Sequence, residues 1–486
     1  MTRRACALYA TGIVCAHLLI VGIALIVAQV FPTLIHNRLK KEVTLTEGSR
    51  VFESWQNPPA PIYMQYYFFN VTNPKVFIAG GKAIVSQVGP YTYREYRPRE
   101  NVTFVDNGTK VSAFTPKSFV FLSEQSVGDP EVDLVTTINI PALAVMKKVA
   151  GSFWMSTMAS VWMTSLGTEM FMTRSVNEIL WGFKDPLLTS LHKMKPEVDE
   201  YFGFMYKKNG TSDGEFVFHT GEQNYMDYAK IHTWKGERKI SWWASEESNM
   251  INGTDGSGFH PLVSKDEQLY VFTADLCRSI YMNQEENPAN ADFCVPVGEC
   301  LGTGVLSVSV CRKGAPVVVS FPHFYQGDEK YINAVEGLSP NQEDHETFLD
   351  INPTLGIPIR ASKRAQINIL VNRVPGFPIT KNLNETIFPV MFVNEAVVID
   401  DASASKMRKL LLVVMLVSNF PLLIVGLAAT LLIAFIVLVV KSRQKKTSAK
   451  EDTDYSHIND KPDECNSDLY KNGSSIAMTP VEVEKC

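Results

Sequence analysis

ACALYATGIVCAHLLIVGIALIVAQV (residues 5–30) and LLLVVMLVSNFPLLIVGLAATLLIAFIVLVV (residues 410–440) contain no Asp, Glu, Lys or Arg. A helix needs about 20 apolar residues to cross the hydrocarbon core of a bilayer, and each run exceeds that length. His17 and Gln29 are the strongly polar members of the first; Ser418, Asn419, Pro421 and Thr430 interrupt the second. The first run has two readings, an uncleaved anchor or a cleavable signal peptide. A cleavable peptide carries an apolar core of about 7 to 15 residues ending at small residues. This run is longer and leads into Gln29-Val30-Phe31-Pro32, which favours the anchor. The competing reading of the second run, a buried core helix, is at odds with so long a stretch without charge. The expected layout is a cytosolic N-terminus over residues 1–4, transmembrane helices at 5–30 and 410–440, an ectodomain at 31–409 and a cytosolic tail at 441–486.

Flanking charge does not settle sidedness, since Arg3, Arg4, Lys441, Arg443, Lys445 and Lys446 are opposed by Arg38, Lys40, Lys41, Lys406, Arg408 and Lys409. Glycosylation acceptors do better. Six Asn-x-Ser/Thr sites lie between the runs, at Asn70, Asn101, Asn107, Asn209, Asn252 and Asn384. Such sites are modified only after translocation, so the middle is expected to be lumenal or extracellular and both termini cytosolic. The further acceptor at Asn472 would then be silent. Cysteine usage agrees. Cys277, Cys294, Cys300 and Cys311 are an even set in what would be an oxidising compartment, and disulfides are the natural reading. Zinc is the alternative, but the spacing fits no common zinc pattern. Cys6 and Cys465 would face the cytosol, Cys6 at a position suited to palmitoylation.

A net charge of -5 over 486 residues gives no reason to expect a nucleic-acid partner. The middle region reads mainly as strands. Val102-Thr-Phe-Val, Phe119-Val-Phe-Leu, Glu215-Phe-Val-Phe and Val317-Val-Val-Ser-Phe are short β-branched and aromatic runs separated by turn residues. They predict an antiparallel sheet or barrel in one domain. The polar tail from Lys441 onward is expected to be irregular.

Residues 149–166 are also uncharged, but a third crossing would put Asn70, Asn101 and Asn107 opposite Asn209, Asn252 and Asn384. Ser152, Ser156, Ser160, Thr164 and Thr168 recur every four residues, with Phe153, Trp154, Met155, Met158, Trp162 and Met163 among them. The pattern predicts a helix with a hydroxyl stripe and a soft apolar face. Such a face is either core or an exposed, adaptable surface for lipid or a partner.

No catalytic motif is present: G-x-S-x-G, H-E-x-x-H, a phosphate loop and C-x-x-C are all missing, and no enzyme activity, cofactor or metal is expected. His36, His192, His219, His232, His260, His323 and His345 are scattered along the ectodomain, where some could titrate in an acidic compartment.

Several ordered segments carry a family resemblance. Val88-Gly-Pro-Tyr-Thr-Tyr-Arg-Glu95, Leu180-Trp-Gly-Phe-Lys-Asp-Pro186, Asn249-Met-Ile-Asn-Gly-Thr-Asp-Gly256, Phe321-Pro-His-Phe-Tyr325 and the run from Leu338 to Pro353 resemble the class B scavenger receptors. The likeness runs from Met1 to Val440. Asn341-Gln-Glu-Asp-His-Glu346 and Phe293-Cys-Val-Pro-Val-Gly-Glu-Cys300 are most similar to the lysosomal branch.

The resemblance implies an α+β membrane protein whose antiparallel, β-barrel-like lumenal ectodomain is tunnelled for lipid and topped by an apical helical bundle, here about 141–202. It implies disulfides Cys277–Cys311 and Cys294–Cys300. It further implies a scavenger-type receptor of the lysosomal or endosomal membrane that binds and passes cholesterol or phospholipid and carries a hydrolase such as β-glucocerebrosidase. Alternatives are a plasma-membrane receptor for lipoproteins or fatty acids and a structural lysosomal glycoprotein. Three features depart from the family pattern. The interval between Cys277 and Cys294 is short; Glu169 is the one charged residue between Val149 and Met172, with no histidine there; and the tail has no Leu-Leu sorting pair. The tail instead carries Tyr455-Ser-His-Ile458, which resembles signals read by clathrin adaptors.

This layout predicts that endoglycosidase lowers the apparent mass by several glycans, and that protease added to sealed microsomes removes only a few kilodaltons from the C-terminal end. Digestion of the middle region in intact vesicles would exclude it.

Overall fold

The computed structural model describes residues 3–282 and 301–458. Cys6 opens the first helix, whereas Cys294, Cys300, Cys465 and Asn472 fall outside the residues whose side chains or backbone are described. The chain divides into two compact units, one of residues 1–31 with 416–486 and one of residues 32–415.

In chain order the helices are α1 (Arg3–Val27), α2 (Val30–Glu42), α3 (Arg50–Gln56), α4 (Pro74–Ile78), α5 (Ile140–Val149), α6 (Phe153–Ser165), α7 (Val176–Trp181), α8 (Pro186–Met194), α9 (Glu246–Asn249), α10 (Glu329–Ala334), α11 (Gln342–His345), α12 (Asp401–Ser418) and α13 (Phe420–Ile458). The strands are β1 (Ile62–Val71), β2 (Ala83–Tyr96), β3 (Glu100–Val105), β4 (Lys110–Phe114), β5 (Ser118–Phe121), β6 (Leu134–Ile138), β7 (Phe171–Ser175), β8 (Phe183–Lys184), β9 (Tyr201–Phe202), β10 (Glu215–His219), β11 (Ile231–Trp234), β12 (Leu269–Thr273), β13 (Arg278–Met282), β14 (Val305–Ser307), β15 (Val317–Ser320), β16 (Val335–Glu336), β17 (Phe348–Asn352), β18 (Ile357–Val371) and β19 (Thr386–Val398).

In the terminal unit, α1 packs along α13. Tyr9–Val27 and Phe420–Lys445 are long and apolar enough to cross a membrane. Small residues let the two backbones approach: Gly12 sits under the Phe435 ring and Gly22 against Val425, with Cys15 and Ala428 buried. Two expected boundaries move. The first helix stops at Val27, before a turn in which Gln29 takes φ +47. The second apolar run is divided at Asn419, because Pro421 has no N–H to give the preceding turn and belongs instead to the first turn of α13. The tail expected to be irregular continues as helix to Ile458, through an Ala- and Lys-containing stretch of good helix formers.

The ectodomain unit is built on one large antiparallel sheet ordered β14-β15-β18-β19-β1-β2, with β5 and a short parallel β16 on β2 and β17 on β18. All four runs read as strands in the sequence fall in strands, β3, β5, β10 and β15. A second sheet, β11-β10-β4-β3, carries its own core, in which Phe52 and Trp55 of α3 meet Phe218, Trp234 and Phe272. The two sheets exchange no ladder among the described residues. The barrel-like closure is therefore not seen there, since a barrel needs hydrogen bonding all the way round.

The main core forms where the long strands are apolar on both faces. β19 is buried from Thr386 to Phe392, and Phe388 lies edge-on to Phe77 and Phe171 at 5.3 and 5.9 Å. Helices α5 to α8 cover this end, α5 capped by Asn139, α6 by Ser152 and α7 by a reciprocal Ser175–Glu178 capping box. Cys277 and Cys311 are joined as a disulfide with Cα atoms 6.5 Å apart. It ties the turn between β12 and β13 to the loop after β14.

Phe388→Ala is expected to remove about 3 to 5 kcal/mol of stability, because a fully buried ring leaves a cavity that its aromatic neighbours cannot fill. Thermal unfolding of the detergent-solubilised chain measures this, and an unchanged melting temperature would contradict the packing.

Candidate functional site: an interior cavity and an apolar helix face

The character of the long strands changes halfway along. Beyond Phe392, β19 is only partly buried, and so is most of β18 before Gln366. Paired registers place Ala361 opposite Val397 and Lys363 opposite Glu395, while Ile62 of β1 neighbours Val397 on its other side. These residues wall a cavity of about 1240 Å³. Its opposite wall comes from the second core, with Trp55, Phe216, Phe218 and Phe272. A space of this size, largely apolar, accommodates a drug- to lipid-sized molecule.

Ionised groups stand in this apolar wall, and several form ion pairs. Arg97, just after β2, contacts Glu95 and donates to Glu395 at 2.6 Å; Lys363 lies 3.4 Å from Glu395 and donates to Thr273 at 3.1 Å. Lys117 and Lys208 meet Asp213 at 2.9 and 2.6 Å. Arg99 stacks on Trp55 at 4.5 Å and pairs with Asp255. Burial alone would raise the Glu395 pKa, but Arg97, then Lys363 and Lys117, bring it down to about 2. Burial likewise opposes ionisation of Asp275, and Lys117, Lys363 and Arg312 outweigh it, holding that carboxyl well below its usual range. Asp275 keeps 53% of its side chain accessible although it lines the cavity, so it presents charge to the interior. Glu95, Glu395, Asp213 and Asp275 thus meet Arg97, Lys117, Lys363 and Lys208 in this belt, and Arg50, Arg278, Arg364 and Lys406 add further cationic side chains to the cavity lining. An apolar wall with such a belt suits an amphipathic ligand. Among the described residues no group of three or more His, Cys, Asp or Glu side chains is placed to hold a metal ion.

The second candidate surface is α6. Phe153, Trp154, Met155 and Met158 are exposed, Trp154 by 77% and Met158 by 74%. Two of the six expected surface residues belong elsewhere. Met163 is buried and Trp162 packs half-buried against the main core, while Val161 joins the exposed face instead. The hydroxyl stripe does not stay on one side either. Steps of four residues drift by about 40° each around a helix of 3.6 residues per turn. Ser156 is accordingly buried, donating to Val149 O at 3.0 Å, and Thr164 is exposed.

Of the acceptor asparagines, Asn101, Asn107, Asn209 and Asn384 are exposed, whereas Asn70 and Asn252 are half-buried. Asn70 Oδ1 accepts from Thr136 N at 2.9 Å. The backbone of Tyr455 and Ile458 is helical. His36 lies in α2 and His192 in α8, where its Nδ1 is 2.7 Å from Val198 O. His260 contacts Glu267 at 2.7 Å. His219 and His232 stand edge-on at 5.0 Å, and burial lowers the pKa of both. His323 and His345 stack on each other. Sequence reading missed the charge belt and this stacked pair. The signal for the belt was Glu395, a charged residue inside the largely apolar β19, opposite the basic run Lys363-Arg364 of β18.

Because the folded pKa of Glu395 is depressed, its stabilising contribution is present above the usual carboxyl range and is lost only as pH falls through about 2. Glu395→Gln should therefore destabilise the protein by about 3 to 5 kcal/mol, alike at pH 7 and pH 5, since it removes the carboxylate that Arg97 and Lys363 share and leaves Lys363 without an ion-pair partner. A cost that disappears at pH 5 would show that the carboxyl is already protonated there.

The CD36 family model matches residues 13–287 and 281–439. The chain is 43% identical over 459 residues to human Lysosome membrane protein 2, covering 90% of this chain and 96% of that protein. It is 44% identical to the rat protein of that name over 443 residues, 87% of this chain and 92% of the relative. Scavenger receptor class B member 1 of Cricetulus griseus is 32% identical over 464 residues, 89% of each chain. With two terminal apolar helices, the paired strands and a family match over most of its length, this chain belongs to the CD36 family.

Proposed function

We propose that this chain is a double-pass receptor of the lysosomal membrane, with both termini cytosolic, that binds lipid in the ectodomain cavity and passes it on. The observation that carries the reading is the largely apolar 1240 Å³ cavity with its belt of paired charges. A sterol or a phospholipid chain would bury its hydrocarbon against Phe216, Phe272, Val397 and Ile399, gaining about 25 cal/mol per Å² removed from water. Its polar end would meet the belt. The α6 face is the proposed capture surface, and a hydrolase such as β-glucocerebrosidase would dock there through apolar contact. The glycosylated asparagines of the reading are Asn70, Asn101, Asn107, Asn209, Asn252 and Asn384, and Cys294–Cys300 is its second disulfide.

The alternative, a plasma-membrane receptor for lipoproteins, draws on the likeness to Scavenger receptor class B member 1. A structural glycoprotein would need no ligand.

Photoactivatable cholesterol and phosphatidylcholine are expected to label the purified full chain on cavity residues. Ala361→Trp and Ala365→Trp, which fill the cavity from its wall, should cut labelling at least about tenfold, as a blocked site requires. Trp154→Glu on α6 should leave the fold and cavity labelling intact while weakening capture. Labelling that ignores the tryptophan substitutions would exclude the cavity.

Sorting is assigned to Tyr455 and Ile458, which an adaptor would bind as an extended strand after the last turns of α13 unwind. Tyr455→Ala should shift the protein towards the cell surface; undiminished lysosomal enrichment would place the signal elsewhere.

A further inference from the structure

Two loops that border the cavity are pinned by buried histidines. His323 sits in the turn Pro322–Phe324 after β15, flanked by the cavity residues Phe321 and Gln326. His345 ends α11 and is followed by Glu346 and Thr347, which line the same cavity. Both imidazoles are buried, and they stack with centroids 4.4 Å apart and planes 23° from parallel. Phe392 lies against both rings and Phe69 against His323.

Each ring accepts a main-chain hydrogen bond from the segment between the loops. Ser339 N donates to His323 Nδ1 at 3.0 Å and Asn341 N to His345 Nδ1 at 2.9 Å. A nitrogen that accepts carries no proton, so both rings are neutral Nε2–H tautomers. His323 uses its Nε2–H to donate to Gln87 Oε1 at 2.6 Å. The turn it holds is unfavourable by itself: His323, Phe324 and Gln326 all take left-handed φ values, +53, +56 and +57. Non-glycine residues keep such values only while their surroundings enforce them.

A second proton on either ring would turn an accepting Nδ1 into an N–H facing another N–H. Protonating both would also stack two positive charges. Of the charged groups around the pair, α11 supplies Asp344, with Glu343 and Glu346 beside it, and β18 supplies Arg364. Strands β1, β2 and β19 supply Phe69, Gln87 and Phe392, which carry no charge, and Tyr67, whose pKa burial raises. Burial lowers the pKa of both histidines; His345 adds to this at His323, bringing it down to about 4, while Arg364 adds to it at His345 and Asp344 opposes at each.

We propose that the His323–His345 stack is an acid-released clasp on the cavity wall, closed at neutral pH and loosened in an acidic lumen so that bound lipid leaves faster there. The proposal rests on the cavity being the lipid site. The direction follows from the neutral tautomers: the native clasp is complete above the ordinary histidine range and weakens as pH falls from about 6.5 towards about 4.

The test uses the detergent-solubilised full chain loaded with fluorescent cholesterol or fluorescent phosphatidylcholine. Amide exchange in peptides covering 320–327 and 337–347, corrected for intrinsic rate, is expected to accelerate at least about tenfold between pH 7.4 and pH 4.5, as loss of a local closed state requires. Exchange in β19 should stay slow, and probe dissociation should speed up in parallel. His345→Asn keeps an acceptor oxygen near the Nδ1 position but cannot charge; with it, the acid acceleration of both readouts should fall, and with His323→Asn added it should disappear. His323→Asn serves the same purpose if the first variant does not fold. Unchanged protection of the wild-type loops at pH 4.5 would overturn the clasp. Accelerated exchange without faster release of bound probe would overturn its control of the cavity. Failure of either probe to bind at pH 7.4 would overturn the lipid reading, and with it the gating role, while loop exchange still reports on the clasp itself.

Discussion

Strand β19 is the constraint on which the ectodomain depends. From Thr386 to Phe392 it is buried on both faces, paired with β18 throughout and with β1 from Met391 on, and from Val393 onward it is only partly buried. The buried half requires apolar neighbours, which α5 to α8 and the Phe77–Phe171–Phe388 cluster provide. The other half faces space that no side chain fills. Because side chains alternate along a strand, Glu395 and Val397 point the same way, and register with Lys363 and Ala361 continues that face across the sheet. The cavity wall is thus an extension of the same ladder that builds the core.

A charged belt in an apolar wall is tolerable only if the charges are satisfied, since an unpaired buried ion costs several kcal/mol. The geometry meets this with alternating sign: Glu95, Arg97, Glu395 and Lys363 form one chain of contacts and Lys117, Asp213 and Lys208 another. Depressed carboxyl pKa values keep Glu395 and Asp275 ionised well into the acidic range. Histidines behave oppositely. Burial favours their neutral form, so acidity works against the folded stack of His323 and His345. On α6 the balance differs again: Trp154, Met155, Met158 and Val161 are left in solvent although burial would favour each by about 1.5 to 3 kcal/mol.

Much of this was legible in one dimension. Uncharged runs at both ends identify candidate membrane helices because crossing a bilayer is a requirement of length and composition. Runs such as Val317-Val-Val-Ser identify strands because β-branched residues favour a pleated surface. The uncharged segment at 149–166 announced α6 as a helix. Proline and hydrophobic length, however, trade against each other: Pro421 divides a run that composition alone reads as one span.

What sequence could not determine is whatever depends on the partner across the chain. Periodicity placed Met163 and Met158 in one class, yet only packing against the main core buries the first and leaves the second exposed. A run of strands predicts sheets, but whether they close is decided by long-range register, and here two sheets share a cavity without a ladder between them among the described residues. Lys363 and Glu395 are 32 positions apart and His323 and His345 are 22 apart in the chain. Their meeting is a product of strand pairing and loop closure, contacts between residues distant in sequence that no local propensity encodes. The sequence by itself determined which segments are apolar and what local structure each prefers. Tertiary structure decided which charges face one another, which helix face stays wet and where the empty space lies.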